Sequence, residues 1–83
     1  MRLTVLIPAF NEEKTIKKVI EEIPKKMESI HKIEVMVIDD GSSDKTAEIS
    51  RDAGAKVISF RKNQGRAKAV AEGFKRFLKS GSD

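Results

Sequence analysis

The feature that most constrains this chain is the alternation of short apolar runs with amphipathic helical periods. The apolar runs lie at Leu3–Ile7, Ile33–Ile38 and Lys56–Phe60. The first two are nearly continuous, which is typical of strands buried on both faces of a parallel sheet. The order βαβαβα with short loops predicts an α/β, three-layer αβα fold. Its parallel sheet has about three strands, joined by right-handed crossovers.

The predicted helices rest on apolar spacing and on capping residues. Asn11 is expected to cap the first helix and Pro24 to stop or kink it. The second helix is expected over Asp44–Ala53, with Ser43 as N-cap and Gly54 as the left-handed residue after its end. The predicted inner faces are Ile16, Val19, Ile20 and Ile23, then Thr46, Ile49, Ser50 and Ala53, and finally Ala67, Val70, Ala71, Phe74, Phe77 and Leu78. Ser80–Asp83 are predicted to form a turn.

Composition excludes several classes of protein. The 83 residues suffice for one small domain over residues 1–83, and the absence of cysteine excludes disulfides and thiolate metal sites. No apolar stretch is long enough to span a membrane or has the form of a signal peptide, so we expect a cytoplasmic protein. The net charge is +4, but the basic residues are mixed with glutamates and there is no Trp or Tyr for base stacking. Specific nucleic-acid binding is therefore not expected.

Three polar segments follow the three predicted strands: Pro8–Glu12, Asp39–Asp44 and Arg61–Arg66. Ligands of open parallel sheets bind outside the carboxyl ends of the strands, where these segments should meet. Carboxylates there accept hydrogen bonds from ribose hydroxyls or base N–H groups, and a helix start with nearby arginine suits a phosphate. The sequence thus predicts a nucleotide site, whose candidate residues are Pro8, Ala9, Phe10, Asn11, Glu12, Asp39, Asp40, Gly41, Arg61, Asn63, Gly65 and Arg66.

Simpler interpretations stay open for each segment taken alone. The two aspartates could merely start a turn and cap a helix. Arg61–Arg66 could be an ordinary basic loop with Asn63 as N-cap. His31, the only histidine, lacks a partner for metal binding and is interpreted as a solvated loop residue.

Three well-known nucleotide or phosphate sites do not match. The segment after the first strand is Pro-Ala-Phe-Asn-Glu, not the Gly-x-Gly-x-x-Gly turn that holds the pyrophosphate of NAD or FAD. A Walker phosphate loop is absent. A response-regulator receiver is disfavoured because its acidic pair should follow the first strand rather than the second.

Taken together, Val5–Glu12, Val37–Thr46 and Asn63–Ala67 resemble family 2 glycosyltransferases, most closely the dolichyl-phosphate mannose or glucose synthase type. The resemblance covers essentially all 83 residues. It implies a GT-A fold, of which this chain is the first, Rossmann-like nucleotide-binding unit.

The resemblance also implies roles for individual residues. Pro8, Ala9, Phe10 and Glu12 stand where that family lines its nucleotide pocket. Asp40 would hold the base, Asp39 would support its loop, and Arg66 would lie near the donor.

Members of that family have an Asp-x-Asp motif after the segments quoted above. Its carboxylates hold Mg²⁺ or Mn²⁺ against the diphosphate of the donor. The sequence ends at Asp83, where the strand leading to that motif should begin. We therefore predict a truncated glycosyltransferase domain that retains at most the binding of a nucleoside diphosphate or nucleotide-sugar and is inactive alone. The activity expected of its full-length parent is transfer of a hexose from a nucleotide-sugar donor to a lipid phosphate or a saccharide. No catalytic residue and no metal ligand can be assigned in this chain, and the metal is expected only in a full-length homologue.

The alternative is a non-catalytic module with the same fold that acts through self-association. In the GT-A order the first strand lies between the second and a fourth that this sequence lacks. Leu3–Ile7 would then form an apolar edge open to a second copy. This alternative predicts a homodimer through the first strand.

Overall fold

The three apolar runs form one parallel sheet in the computed structural model, which describes residues 2–79. The strands are β1 (Arg2–Ala9), β2 (Lys32–Asp39) and β3 (Lys56–Ser59), in the spatial order β1-β2-β3. Both neighbouring pairs are parallel. The helices are α1 (Ile16–Glu21), α2 (Thr46–Asp52) and α3 (Arg66–Lys79). The predicted α/β fold with a three-stranded parallel sheet is confirmed; the turn predicted at Ser80–Asp83 lies outside the described residues.

The central strand β2 packs helices on both of its faces because successive side chains of a strand point in opposite directions. Val37 lies in one core cluster with Ile16 and Ile20 of α1. Ile38 points the other way and contacts α3 at Gly73. Both β2 side chains are fully buried, so the sheet is the middle layer of three.

Strand β1 is longer than predicted, because it continues through Pro8 to Ala9. Pro8 is aligned with Ile38 of β2 in the parallel register. Proline lacks a backbone N–H and is tolerated in a sheet at an edge strand, which is the position of β1 here. Strand β2 likewise begins one residue earlier and ends one residue later than predicted, and β3 ends at Ser59, before Phe60.

The predicted caps of the first two helices are wrong. Helix α1 begins at Ile16, five residues after Asn11, whose side chain instead bonds loop residues that precede α2. Helix α2 begins at Thr46, and its first N–H is bonded by the Asp44 side chain rather than by Ser43. Gly54 has the predicted left-handed backbone, with φ +99°.

The inner faces of α1 and α2 were predicted in part. Helix α1 buries Ile16 and Ile20, but it ends at Glu21, before Pro24, and Val19 is exposed. Helix α2 buries Thr46 and Ser50.

The inner face of α3 was predicted in part: Val70 and Phe77 are half-buried, but the closest packing is through small residues. Ala69 and Gly73 are its buried residues, whereas 48% of Phe74 and 58% of Leu78 are exposed. A Cβ atom on Gly73 would lie 2.5 Å from Cδ1 of Ile38. The helix backbone therefore lies close against β2, and large apolar residues do not fit at that contact.

Among the described helices, none is long and apolar enough to cross a lipid bilayer.

Candidate functional site

Three loops meet at the carboxyl edge of the sheet, as expected for parallel strands. Loop 1 (residues 10–15) follows β1, loop 2 (residues 40–45) follows β2 and loop 3 (residues 60–65) follows β3. They are joined to one another by hydrogen bonds, so each loop is held by its neighbour.

Asn11 fastens loop 1 to loop 2. Its backbone is left-handed, with φ +51°, a conformation that asparagine tolerates better than most residues. Its Oδ1 accepts a hydrogen bond of 2.8 Å from the Ser43 N–H, and its own N–H donates to Ser42 Oγ at 2.8 Å. The residue thus acts as a link between loops and not as the predicted N-cap.

Glu12 and Glu13 continue the same junction. The Glu12 N–H donates to Oγ1 of the buried Thr46 at 2.8 Å, and the Glu13 N–H donates to Asp44 Oδ2 at 3.2 Å. The Lys45 N–H in turn donates to Glu13 Oε1 at 3.1 Å. Loop 1 is therefore held at the amino end of α2.

Asp44 is the shared acceptor of this junction. It accepts from the Thr46 N–H at 2.9 Å and also from the Thr46 hydroxyl. Partial burial raises the pKa of Asp44, but the hydrogen bonds from Thr46 and from the Glu13 backbone outweigh it, and the net effect lowers the pKa. The charged form is thus the one that the loop junction favours.

Asp39 fastens loop 2 to β3. One carboxylate oxygen accepts from the Ser42 N–H at 3.1 Å, and the other accepts from Ser59 Oγ at 3.1 Å. Its carbonyl accepts from the Phe60 N–H at 2.9 Å. Asp39 is buried, so its geometry fits the predicted role of supporting the loop.

Asp40 fastens loop 2 to loop 3. Its Oδ1 accepts from the Gln64 N–H at 2.8 Å, and its Oδ2 accepts from the Gly65 N–H at 3.1 Å and from Asn63 Nδ2 at 3.0 Å. Its own N–H donates to the Ala9 carbonyl at 2.8 Å. The residue is only 2% exposed, and these bonds hold its carboxylate against the residues that precede α3.

Gly41 permits this close approach of loops 2 and 3. Its φ is +77°, and a Cβ atom there would lie 2.5 Å from the Asn63 nitrogen and 2.5 Å from the Lys62 carbonyl carbon. Backbone atoms cannot move aside as a flexible side chain can. Glycine is therefore required on two independent grounds.

An open cleft of about 250 Å³ lies between these loops. We call it the cleft, and its lining is Pro8, Ala9, Phe10, Asp40, Asn63, Gly65 and Arg66. These are seven of the twelve residues named from the sequence. One wall is the Phe10 ring, 45% exposed, and another is the start of α3.

The other five candidate residues lie outside the lining of the cleft. Asn11, Glu12, Asp39 and Gly41 join the loops as described above, and Arg61 lines a neighbouring groove on the far side of loop 3. Thr46 and Ser59 belong to the same framework but were not among the candidates. Their only signal in the sequence was a hydroxyl at a helix start and a hydroxyl at a strand end.

No group of three or more His, Asp or Glu side chains in the described part of the chain could hold a metal ion. The oxygens of Asp39 and Asp40 are bonded to donors within the protein. The resemblance places the Mg²⁺ or Mn²⁺ ligands in an Asp-x-Asp motif of longer chains and not at these two residues.

Several known proteins are similar to this chain in sequence, and solved structures are similar to it in fold. An uncharacterised protein of Methanocaldococcus jannaschii is 38% identical over 79 residues, covering 88% of this chain and 32% of that protein. The undecaprenyl-phosphate 4-deoxy-4-formamido-L-arabinose transferase of Salmonella choleraesuis is 35% identical over 80 residues, covering 88% of this chain and 24% of that one. Glucosyl-3-phosphoglycerate synthase from Mycobacterium tuberculosis, solved in complex with UDP, aligns with a TM-score of 0.74 at 30% identity. That alignment covers 90% of this chain and 29% of the synthase.

The chain therefore spans about a quarter to a third of the length of these proteins. Its sheet and helices match the GT-A, Rossmann-like arrangement of the synthase. The sequence profile of glycosyl transferase family 2 matches residues 4–78. Because that match covers nearly the whole chain, the protein belongs to glycosyl transferase family 2.

Proposed function

We propose that the cleft binds the nucleotide of a nucleotide-sugar donor. In a protein of the relatives' length, this domain would serve a transferase that moves a hexose to a lipid phosphate or a saccharide. The observation that carries the proposal is that an aromatic, an acidic and a basic residue, Phe10, Asp40 and Arg66, line one cleft. Each of the three suits a different part of a nucleotide.

The Phe10 ring suits the base. It is a large apolar group that remains 45% exposed beside a cleft, although apolar side chains gain by burial. Stacking of a base on an aromatic side chain contributes about 1–3 kcal/mol and tolerates any base. A bound base would cover the part of the ring that the protein leaves open.

The Asp40 carboxylate suits a ribose hydroxyl or a base N–H. A carboxylate has about four acceptor positions. Three are occupied by loop 3 donors, which leaves about one for a ligand. Because those three bonds already fix the group, a ligand donor would meet an acceptor that needs no reorientation.

Arg66 suits the phosphates. It is the first residue of α3 and lines the cleft. The Gln64 and Gly65 N–H groups, which precede the helix, are bonded to Asp40 and are not available to a phosphate. The guanidinium group is therefore the main phosphate donor of the cleft, and it can form two parallel hydrogen bonds.

The comparisons support this assignment at the level of the family. One relative is a transferase acting on undecaprenyl phosphate, and one structural neighbour was solved with UDP. We propose nucleotide binding for this chain. We propose sugar transfer only for a longer protein that contains it.

Titration of the ¹⁵N-labelled chain with UDP and GDP, with and without Mn²⁺, tests the proposal. We expect saturable amide shifts at Ala9, Phe10 and Gly65 at millimolar ligand. The variants Phe10→Ala and Arg66→Gln should each weaken binding about tenfold. Arg51→Gln, on an exposed site of α2, is the matched control and should bind like the parent. An absence of shifts in the three loops at millimolar ligand would refute nucleotide binding.

Self-association is a second candidate function, favoured by the position of β1 at the edge of the sheet. An uncovered edge strand is a template for pairing with another chain, and 42% of Leu3 is exposed there. We propose that two copies pair through β1.

Sedimentation across a range of concentrations checks this second candidate. Leu3→Lys should shift the population to monomer. Val19→Lys changes an equally exposed apolar residue on α1 and should leave self-association unchanged. A parent chain that stays monomeric at the highest concentration contradicts the pairing.

A further inference from the structure

A second concave surface lies on the far side of loop 3. We call it the basic groove, and it is lined by Ser59, Phe60, Arg61, Lys62, Gln64 and Arg76. Its volume is about 640 Å³, larger than that of the cleft. The two surfaces share no lining residue, although both are lined by residues of loop 3.

The basic groove carries three cations and, among its described lining residues, no acid. Within residues 2–79, none of Arg61, Lys62 and Arg76 forms an ion pair with a carboxylate. Other lysines are placed differently: Lys32 and Lys56 both lie against Glu34. Three like charges on one concavity repel one another, and an anion between them would relieve that repulsion.

The position of Arg76 is fixed by an aromatic partner. Its guanidinium carbon lies 4.7 Å from the centroid of the Phe60 ring, a cation–π geometry. The Phe60 backbone is held by its N–H, which donates to the Asp39 carbonyl. Stacking occupies one face of the planar guanidinium and leaves its N–H edge free to point at a ligand.

The donor set selects the class of ligand. Two guanidinium groups offer paired N–H donors that match the oxygens of a phosphate, and Lys62 adds a compact charge. A phosphate monoester carries a charge of about −1.5 to −2 near neutral pH, which such a set can neutralise. Phe60 already stacks on Arg76, so the basic groove lacks an open aromatic face for a nucleobase.

We propose that the basic groove is a second phosphate-binding site, which takes the phosphate monoester or diphosphate group of a soluble compound or of a lipid headgroup. The site does not depend on nucleotide binding in the cleft. Gln64 connects the two sites. It lines the basic groove, and its backbone N–H donates to Asp40, which lines the cleft.

The test is a titration of the ¹⁵N-labelled chain with inorganic phosphate and with pyrophosphate at constant ionic strength. We expect saturable shifts of the Phe60, Arg61 and Lys62 amides and of the Arg76 side-chain N–H. Phe10, in the cleft, should shift less than these groups. Failure of UDP and GDP to shift Phe10, with pyrophosphate still shifting Arg61, would remove the proposed function but not this site.

Variants separate a built site from general attraction to a basic protein. Arg61→Gln combined with Arg76→Gln should weaken pyrophosphate binding tenfold or more. Arg51→Gln removes the same charge from α2 and should change binding less than twofold. If the double variant does not fold, Arg61→Gln alone, at an exposed loop position, should still weaken binding about tenfold. Shifts that do not saturate, or that are equal in the parent and these variants, would overturn the proposal.

Further experiments identify the kind of molecule that carries the phosphate. In a flotation assay, the chain should rise with phosphatidic acid vesicles and not with phosphatidylcholine vesicles if the ligand is a lipid headgroup. The double variant Arg61→Gln with Arg76→Gln should then no longer rise with the phosphatidic acid vesicles. Pyrophosphate binding without flotation assigns a soluble compound. A short oligonucleotide that displaces pyrophosphate and binds more tightly would overturn the proposal in favour of nucleic acid.

Discussion

Asp40 is the residue on which both the shape and the chemistry of the cleft depend. It is buried, and its two oxygens hold the Asn63 side chain and the Gln64 and Gly65 backbone. A buried charge is stable only when it is hydrogen-bonded, and here the donors come from one loop. The charge of Asp40 therefore fixes where loop 3 and the first residue of α3 lie.

Replacing Asp40 by asparagine should destabilise the protein and loosen loop 3. The new amide group would place N–H donors opposite donors, and the charge-assisted bonds would be lost. We expect a loss of about 1.5–3 kcal/mol in the free energy of unfolding. Urea denaturation measures it, and hydrogen exchange at Gly65 should accelerate. Asp52→Asn, at an exposed position of α2, is the control, and an equal loss there would contradict the assignment.

Gly41 and Gly65 allow a matched comparison of two positive-φ positions. Gly41→Ala meets backbone atoms at 2.5 Å, whereas a Cβ on Gly65 meets nothing within 4 Å. Gly65→Ala should therefore lose only about 1 kcal/mol, from the left-handed backbone. Gly41→Ala should lose clearly more, about 3 kcal/mol or above. Equal thermal stabilities of the two variants would show that loops 2 and 3 do not approach as closely as described.

At the scale of elements, one carboxylate on β2 connects all three strands. Glu34 lies 2.7 Å from Arg2 on β1, 3.1 Å from Lys32 on β2 and 3.8 Å from Lys56 on β3. Hydrogen bonds from Lys32 and Arg2 lower the pKa of Glu34. The cluster lies at the opposite end of the sheet from the cleft, so it affects the stability of the sheet and not the site.

The lowered pKa of Glu34 predicts the direction of a pH dependence. A carboxyl group with a lower pKa in the folded than in the unfolded state stabilises the protein above its unfolded pKa. That contribution is lost as the pH falls below about 4, through the folded pKa. Glu34→Gln should therefore be less stable than the parent at pH 7, and the difference should shrink towards pH 3. Thermal unfolding at several pH values measures this, and a difference that stays constant with pH would contradict it.

The contact between α3 and β2 predicts a rescue. Gly73→Ala gains about 1 kcal/mol of helix propensity but places a Cβ 2.5 Å from Cδ1 of the buried Ile38. Overpacking costs about 1–3 kcal/mol, so we expect a net loss. Ile38→Ala removes Cδ1 together with Cγ1 and Cγ2, which would lie 2.7 and 3.2 Å from the new Cβ. The double variant should therefore be more stable than the sum of the two single changes predicts. Denaturation of the four proteins in this cycle measures the coupling.

The existence and order of the elements could be predicted because apolar runs and helical spacing are local signals. The faces of the helices could not all be predicted. Spacing assigned Phe74 and Leu78 to the inside of α3, but the residues that the helix buries are Ala69 and Gly73. Which residues a helix buries depends on tertiary packing, which no local pattern contains.

The candidate site, like the fold, could be predicted from the sequence only in part. Strand ends predicted which segments meet, and seven residues named from the sequence line the cleft. Asn11 and Arg61 could not be placed in the same way. Asn11 bonds Ser43, which is 32 residues away, and Arg61 lines the basic groove together with Arg76 of α3. Both positions follow from how the loops approach one another in the folded chain.

At the scale of the whole molecule, exposed apolar side chains lie on both faces of the sheet. Phe74 and Leu78 are exposed on α3, which packs against β1 and β2. Leu3 lies on the other face, because it alternates in phase with Ile7, which packs against the core under α1. Val19 of α1 is exposed on that face as well. The exposed apolar area is thus divided between α3 and the side of the sheet that α1 covers.

The exposed face of α3 yields a prediction about solubility. Phe74→Ser with Leu78→Ser should change the free energy of unfolding by about 0.5–1 kcal/mol or less, since neither side chain is buried. It should at the same time reduce association at high concentration, because apolar area is removed from the surface. Light scattering and urea denaturation measure the two effects. A large loss of stability would instead show that these side chains belong to the core.

The hydrogen bonds between loops have a consequence for any measured affinity. They join residues 23 to 34 positions apart, so the cleft exists only after the sheet has brought the strand ends together. Its binding-competent population is then the same as the folded population. A substitution far from the cleft that leaves a tenth of the molecules folded would raise the apparent Kd about tenfold without touching the ligand. Conversely, a saturating nucleotide would raise the melting temperature by mass action, so affinity and stability in this protein have to be measured together.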